Sequence, residues 1–314
     1  MRVYIRCYTI CMLSRYTKGR LSWVDCVSPT PAEVQALMRE FSVDPMIAEE
    51  LLLPSFRSKV ERRGNVLYVI LHFPTLHAGH KKHENEIDFI IGKDFLITTR
   101  YMVLDPLHTF AKTFEAETVL GRDGSATHGG HLFVAMTRSL YSALGRECDT
   151  IERRLSDIEE HIFAGQEKQM VKRLSHISRL IHDFRQSLMS HGEMLRSFEP
   201  VSARFFGAEF SFYVHELIGA YERVDRRLDR LHDSLLELRE TNNSLVSTKQ
   251  NEIMQMFTVL AFVFLPISFI GQLFGMSSQH IPLMSSEYGF WMVLSIMLVT
   301  AVCFFVYFKS KDWL

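Results

Sequence analysis

Asn251-Glu252-Ile253-Met254 opens a stretch, NEIMQMFTVLAFVFLPISFIGQLFG (251–275), with no charged side chain after Glu252. From Ile253 to Phe274 it offers about 22 predominantly apolar residues, and Phe290 to Phe308 offers about 19 more, each enough to span a bilayer. The linker 275–289 carries only one charge, Glu287. Nearly all the charge of the 314-residue chain lies before residue 253, so the mean hydropathy of +0.03 is the average of a charged part and a membrane end. Lys+Arg is 35 and Asp+Glu 36, for a formal charge of −1, which argues against a non-specific nucleic-acid binder.

Orientation follows from the basic residues. Arg239 and Lys249 precede the first span, Lys309 and Lys311 follow the second, and the linker has no Lys or Arg. The positive-inside rule puts both termini in the cytoplasm and the linker outside, in an inner or plasma membrane. Arg2 and Arg6 interrupt the N-terminus, which does not read as a signal peptide. Cys7, Cys11, Cys26, Cys148 and Cys303 form no CxxC pair and read as reduced thiols.

Upstream, the first 125 residues read as an α/β domain. Val3 to Tyr8 alternates like a strand, and Thr17-Lys18-Gly19-Arg20 turns into a second, Leu21 to Val27. Thr30 before Pro31 is a helix start, with Val34, Leu37, Met38 and Phe41 on one face, and a short helix follows near Pro45 to Leu53. Asn65 to Phe73 and Ile87 to Thr99 read as strands, the latter a hairpin turning at Gly92-Lys93-Asp94. Residues 126–252 read as a helical stalk region. One charged helical run goes from His131 to about Phe198, interrupted near Ala164-Gly165, and Pro200 is expected to end it. A second begins near Phe206 and enters the membrane without a break. In it Leu217, Tyr221, Val224, Leu228, Leu231, Leu235 and Leu238 alternate steps of four and three. Periodicity allows a heptad seam or the face of a core helix, and a helix of about 60 residues, about 90 Å long, favours the seam of a stalk.

Two spans cannot enclose an ion path, so a pore requires several copies of the chain. Asn251, Met254, Thr258, Ala261, Leu265, Ser268 and Gln272 fall on one face of the first span, and Gln255 lies off it. Polar groups in lipid are costly unless they face water or protein, so this stripe either lines a pore or bonds helix to helix.

The runs Asn251-Glu252-Ile253-Met254, Phe264-Leu265-Pro266-Ile267-Ser268-Phe269-Ile270 and Phe274-Gly275-Met276 resemble the CorA family of divalent-cation channels. So do Tyr288-Gly289-Phe290 and Lys309-Ser310-Lys311-Asp312-Trp313-Leu314. Fainter similarity covers Trp23-Val24-Asp25, Arg57-Ser58-Lys59-Val60-Glu61 and Leu96-Ile97-Thr98. The resemblance implies a homopentamer with a cytoplasmic α/β domain, long stalk helices continuing as pore-lining spans (253–274), an external loop (275–289), an outer ring of second spans (290–308) and a cytoplasmic tail (309–314). It implies that Asn251 forms the cytoplasmic pore ring, Met254 and Leu265 hydrophobic constrictions, and Ser268 a polar ring. The family's Gly-Met-Asn is replaced by Gly275-Met276-Ser277, and Gln272 stands where a small residue is usual. Serine has an acceptor oxygen on a shorter arm, so the hydrated-ion grip suited to Mg²⁺ is weakened.

Mg²⁺ and Zn²⁺ are therefore both candidate cargoes or regulatory ions. Imidazole suits Zn²⁺; His72, His77, His80 and His83 cluster in one segment, with a solvated hairpin as the plainer reading, and His280 sits in the outer loop. Asp233, Glu237 and Glu240 continue the polar stripe backward and would gather cations, or else simply solvate the helix. By the family's habit of sensing Mg²⁺ with carboxylates between subunits, Glu216 is the positional candidate. No nucleophile–base set, P-loop or GxGxxG occurs, so neither enzyme activity nor an organic cofactor is expected. The expected partners are lipid, further copies of the chain and divalent cations. A non-conducting membrane ring that senses metal or binds partners is the alternative function.

Overall fold

Gly19, with φ +61°, makes a two-residue turn with Arg20 that any β-carbon would strain, and it closes the hairpin of β1 (Met12–Lys18) and β2 (Leu21–Val27), Lys18 opposite Leu21. These positions come from a computed structural model that describes residues 12–55, 57–74, 86–102, 104–119, 127–275 and 288–311. The expected strand from Val3 to Tyr8 lies outside the described residues.

Six strands form one sheet in the order β1-β2-β6-β5-β4-β3, with β3 (Lys59–Arg63), β4 (Val66–His72), β5 (Glu86–Ile91) and β6 (Phe95–Arg100). All pairs are antiparallel except β2 with β6. The β5–β6 hairpin turns at Gly92-Lys93-Asp94, as the sequence predicts. Strand β4 reads as a nearly unbroken apolar run because helices cover both its faces. One face, with Val24, Tyr68, Ile70, Ile90 and Ile97, packs on α1 (Pro31–Phe41) and α2 (Pro45–Glu50) through Val34, Leu37, Ile47 and Ala48. Thr30 caps α1 in a reciprocal box: its hydroxyl accepts from the Glu33 amide, and the Glu33 carboxylate accepts from the Thr30 amide at 2.9 Å.

The opposite face carries Trp23 and Phe89. Trp23 meets Phe110 and Phe114 of α3 (Asp105–Val119), a helix the sequence reading did not identify. Phe89 packs on Phe133 of α4 (Gly129–Phe163), which in turn meets Phe198 of α6 (His191–Phe206). At Gly129 the helix start approaches the β5–β6 turn so closely that a β-carbon would stand 2.3 Å from the carbonyl oxygens of Gly92 and Phe95.

Helix α5 (Glu167–Leu188) follows the expected interruption at Ala164-Gly165. Pro200 does not end its helix: α6 runs through it to Phe206, and the break falls instead at 189–190. A proline removes one backbone donor, and burial of Leu195, Phe198, Ser202 and Phe205 outweighs that loss. Helix α7 (Phe210–Gly275) is continuous through Pro266, and α8 (Gly289–Ser310) is the last described helix. Both α7 and α8 contain windows long and apolar enough to cross a membrane.

By contacts the chain divides into two units, Met1–Ala164 with Gln169–Leu238, and Gly165–Lys168 with Arg239–Leu314. In the first unit all seven seam residues from Leu217 to Leu238 are buried. The seam is used within the chain: Arg227 pairs with Asp149 and Glu152 of α4, Asp229 with Arg185 of α5, and the Tyr221 ring meets Tyr141 of α4 and His191 of α6. It therefore reads as the core face of a helix rather than the stalk seam that helix length favours, because α4, α5 and α6 of the same chain cover it. Truncating a fully buried member such as Leu228 to Ala would cost about 2–5 kcal/mol.

Candidate ion pathway

In the smaller unit the first span shows two distinct faces. Val259 is buried and Val263, Pro266, Ile270 and Phe274 are half-buried; this face lies toward α8, where Met297 stands within 3.6 Å of a β-carbon placed on Gly271 and Phe308 meets Phe262. The stripe behaves differently. Asn251, Met254, Ala261, Leu265, Ser268 and Gln272 are exposed and Thr258 is half-buried, its hydroxyl donating to the Met254 carbonyl at 2.8 Å. At about 100° per residue, the stripe from Met254 to Gln272 is centred roughly 160° from the covered face. α8 therefore leaves the polar stripe of α7 uncovered. Gly275 ends the helix, and among the described residues nothing stands within 4 Å of a β-carbon placed on it; Met276, Ser277 and His280 lie outside the described residues.

Toward the N-terminal side of the stripe, Glu240, Ser244 and Ser247 are exposed. Lys249 reaches the turn between α4 and α5, donating to a Glu167 carboxylate oxygen at 2.7 Å and to the Gly165 carbonyl at 3.3 Å. One lysine thus ties that turn to the helix two residues before Asn251, a contact the sequence reading missed because partners 82 residues apart leave no local pattern.

In the larger unit Asp233 and Glu237 are exposed on α7. Glu216 forms an ion pair with Arg138 of α4, beside an open groove of about 480 Å³ lined also by His215, Glu222 and Arg223. Its carboxylate is already neutralised by an arginine. Among the described residues no three His, Cys, Asp or Glu side chains stand close enough to hold a metal ion. Of the histidine segment only His72 is described; His77, His80 and His83 are not. His72 faces inward, its Nε2 at 3.3 Å from Glu86 and at 3.0 Å from the Ser55 carbonyl.

The sheet holds more polar groups than the strand patterns suggest. Arg100 clasps Asp25 through Nε and Nη2, the closest contact 2.8 Å; Thr98 donates to Asp25 at 2.8 Å and the Trp23 indole donates to Thr98 at 3.0 Å. His191, fully buried on α6, accepts the His72 backbone N–H at its Nε2 (3.3 Å). Its Nδ1 must then carry the proton and donate to the Tyr141 oxygen at 2.9 Å. Burial, aided by the nearby His72, holds His191 neutral with a pKa lowered to about 3. For His72 burial acts downward, but the hydrogen bonds to Glu86 and the Ser55 carbonyl outweigh it and raise its pKa. Alternating Glu86 and Asp88 inside an apolar strand was the one available sequence signal for this cluster.

The profile for CorA-like Mg²⁺ transporter proteins matches residues 18–310. The chain is 24% identical over 282 residues to the cobalt/magnesium transport protein CorA of Thermotoga maritima, covering 90% of this chain and 80% of that one. It is 25% identical over 300 residues to a putative metal ion transporter, YfjQ, of Bacillus subtilis, covering 93% and 89%. Its fold matches the complete structure of the CorA magnesium transporter from Methanocaldococcus jannaschii with a TM-score of 0.80 at 18% identity, over 94% of this chain and 92% of that one. The full-length CmaX protein matches with a TM-score of 0.70 at 18% identity, covering 93% and 89%. A profile match of this extent, joined to an α/β domain and two C-terminal apolar helices, marks a membrane protein of a transporter family rather than an enzyme. The chain belongs to the family of CorA-like Mg²⁺ transporter proteins.

Proposed function

We propose that the chain transports divalent cations, Mg²⁺ or Zn²⁺, through a pore built by five copies, each lending the polar stripe of α7 to the lumen. The observation that carries this reading is the uncovered stripe opposite α8. A single chain leaves Asn251, Ser268 and Gln272 unshielded, and in a bilayer such groups need water or another copy. The names of the relatives, cobalt/magnesium transport proteins among them, favour Mg²⁺ as cargo. The spans are 253–274 and 290–308, the loop 275–289 is external, and the α/β domain, stalk and tail 309–314 are cytoplasmic. Asn251 forms the cytoplasmic ring, Met254 and Leu265 the apolar constrictions, and Ser268 and Gln272 polar levels above them. Gly275-Met276-Ser277 is the outer mouth, with His280 beyond it. Asp233, Glu237 and Glu240 collect cations on the cytoplasmic side, and Glu216 with its groove is the regulatory candidate between subunits.

Uptake into proteoliposomes, measured separately with Mg²⁺ and Zn²⁺, tests the reading. Flux of either ion supports it, and the ratio names the cargo. Absence of flux for both, from protein that native mass spectrometry finds pentameric, would leave a non-conducting ring. Monomers or dimers alone in mild detergent would remove the pore itself.

A further inference from the structure

Two buried carboxyl groups sit side by side on β5. Glu86 and Asp88 are two residues apart on one strand, hence on one face, and are 1% and 0% exposed. Each has one oxygen well supplied. Glu86 Oε2 accepts the Ser55 backbone N–H at 2.6 Å and lies 3.3 Å from His72 Nε2, and Asp88 Oδ2 accepts the Thr99 hydroxyl at 2.9 Å. The other oxygen of each, Glu86 Oε1 and Asp88 Oδ1, is buried and has no donor among the described residues, and the hydroxyl of Tyr68 on β4 is likewise buried without a partner among them. Two acceptors cannot satisfy one another, and two carboxylates cannot both stay charged in such a place. Either a cation or a proton must lie between them.

The surroundings decide for the proton. Glu86 and Asp88 lie on one face of one strand, close enough for the Glu86 charge to act on Asp88, and among the described residues no three His, Cys, Asp or Glu side chains stand close enough to hold a metal ion. The groups facing Asp88 are Glu86 on its own strand, Tyr68 on β4, Thr99 on β6, Tyr101 just after β6 and Glu50 on α2. Among the described residues, the nearby ammonium of Lys59 on β3 is paired with Glu50 and lies over the Tyr68 ring. We propose that Asp88 is a neutral carboxylic acid that donates its proton to Glu86, and that this shared proton is a latch holding the α2–β3 connection against the sheet.

The latch reaches beyond the pair. Glu86 holds the Ser55 amide and the His72 ring; His72 holds the Ser55 carbonyl and faces Ser58 at 3.3 Å. Ser190, at the junction of α5 and α6, donates to Ser58 at 2.8 Å, and the His72 backbone is held by His191. Loss of the proton to solvent leaves two like charges in a buried site, and local release of Ser55 and Ser58 is the relief available. Burial first, and the neighbouring Glu86 second, raise the Asp88 pKa well above the ordinary carboxylate range. The folded state then holds a proton that the unfolded chain releases. The stability contributed is fully present below the ordinary carboxylate pKa and is lost as pH rises through the raised one.

Infrared spectra of the full-length protein in detergent at pH 7 test the proposal. The wild type should show the C=O stretch of a protonated carboxylic acid, shifting only slowly in D₂O because the pair is buried. Asp88→Asn supplies an N–H to Glu86, and Glu86→Gln supplies one to Asp88, so each replaces the shared proton by a covalently held donor. Both variants should assemble, lose that band, and melt with less decline between pH 7 and pH 9 than the wild type. No such band in the wild type, or a band that survives in both variants, would overturn the proposal. Should neither variant assemble, the wild-type band alone decides.

Discussion

The sheet and the membrane helices treat polar side chains in opposite ways. In the α/β unit, Asp25, Arg100 and Thr98 of the sheet and His191 of α6 are buried, and they and the half-buried His72 find partners within one chain. Along α7 beyond Asn251, Ser268 and Gln272 are exposed, and so are Leu265, Phe264 and Phe269. The first region meets its need within a single copy, as the buried pairing of Asp25 with Arg100 shows. The second does not, because only water, lipid or further copies can cover what it leaves open. Stability should therefore respond to changes in the sheet, and transport to changes in the stripe.

The strongest way to break this contrast is at Arg100. Replacing it by Leu leaves the Asp25 charge buried without its guanidinium, and a loss of about 3–5 kcal/mol is expected. A melting temperature like the wild type's would mean that the pair is not the anchor of β2 to β6. Acid provides the next test. His191 is neutral in the folded state, with a pKa lowered to about 3 by burial, whereas an unfolded histidine titrates near the usual 6.5. Its contribution is therefore present above the unfolded value and is lost as pH falls from there toward 3, on the order of a few kcal/mol in all. Melting of the wild type against His191→Gln over that range should show a steeper acid decline in the wild type. Parallel curves would mean that the imidazole is charged or hydrated in the fold.

The stripe is sharpened by accessibility. Cys at Asn251 or Gln272 should react with small water-soluble thiol reagents in the assembled protein, and Cys at Phe262 or Phe269 should not. Equal rates at all four positions would remove any special access of the stripe to water. The smallest effect concerns Ser277. Asn there reaches about one bond further with a stronger acceptor, and Ser277→Asn should raise Mg²⁺ flux relative to Zn²⁺ by an amount on the order of 1 kcal/mol. Flux unchanged by both Ser277→Asn and Ser277→Ala would take this residue out of the selectivity apparatus.

Local pattern made the two apolar helices, the Gly19 turn, the Thr30 cap, the β5–β6 hairpin and the seam of α7 legible in the chain alone. Each is a matter of residues near one another in sequence, where periodicity of 2 or 3.6 and a few turn and cap residues decide the outcome. The polar stripe was legible for the same reason, as was the resemblance of residues 251–276 to a transporter family. Tertiary structure decided the rest. Whether Pro200 ends a helix depends on what buries Phe198 and Phe205, and whether the seam serves one chain or several depends on what α4, α5 and α6 present to it. The pairing of Glu86 with Asp88, of Asp25 with Arg100 and of Glu216 with Arg138 joins groups whose charge states follow from burial and neighbours. Burial and neighbours are properties of the packed sheet and helices, and local periodicity does not encode them.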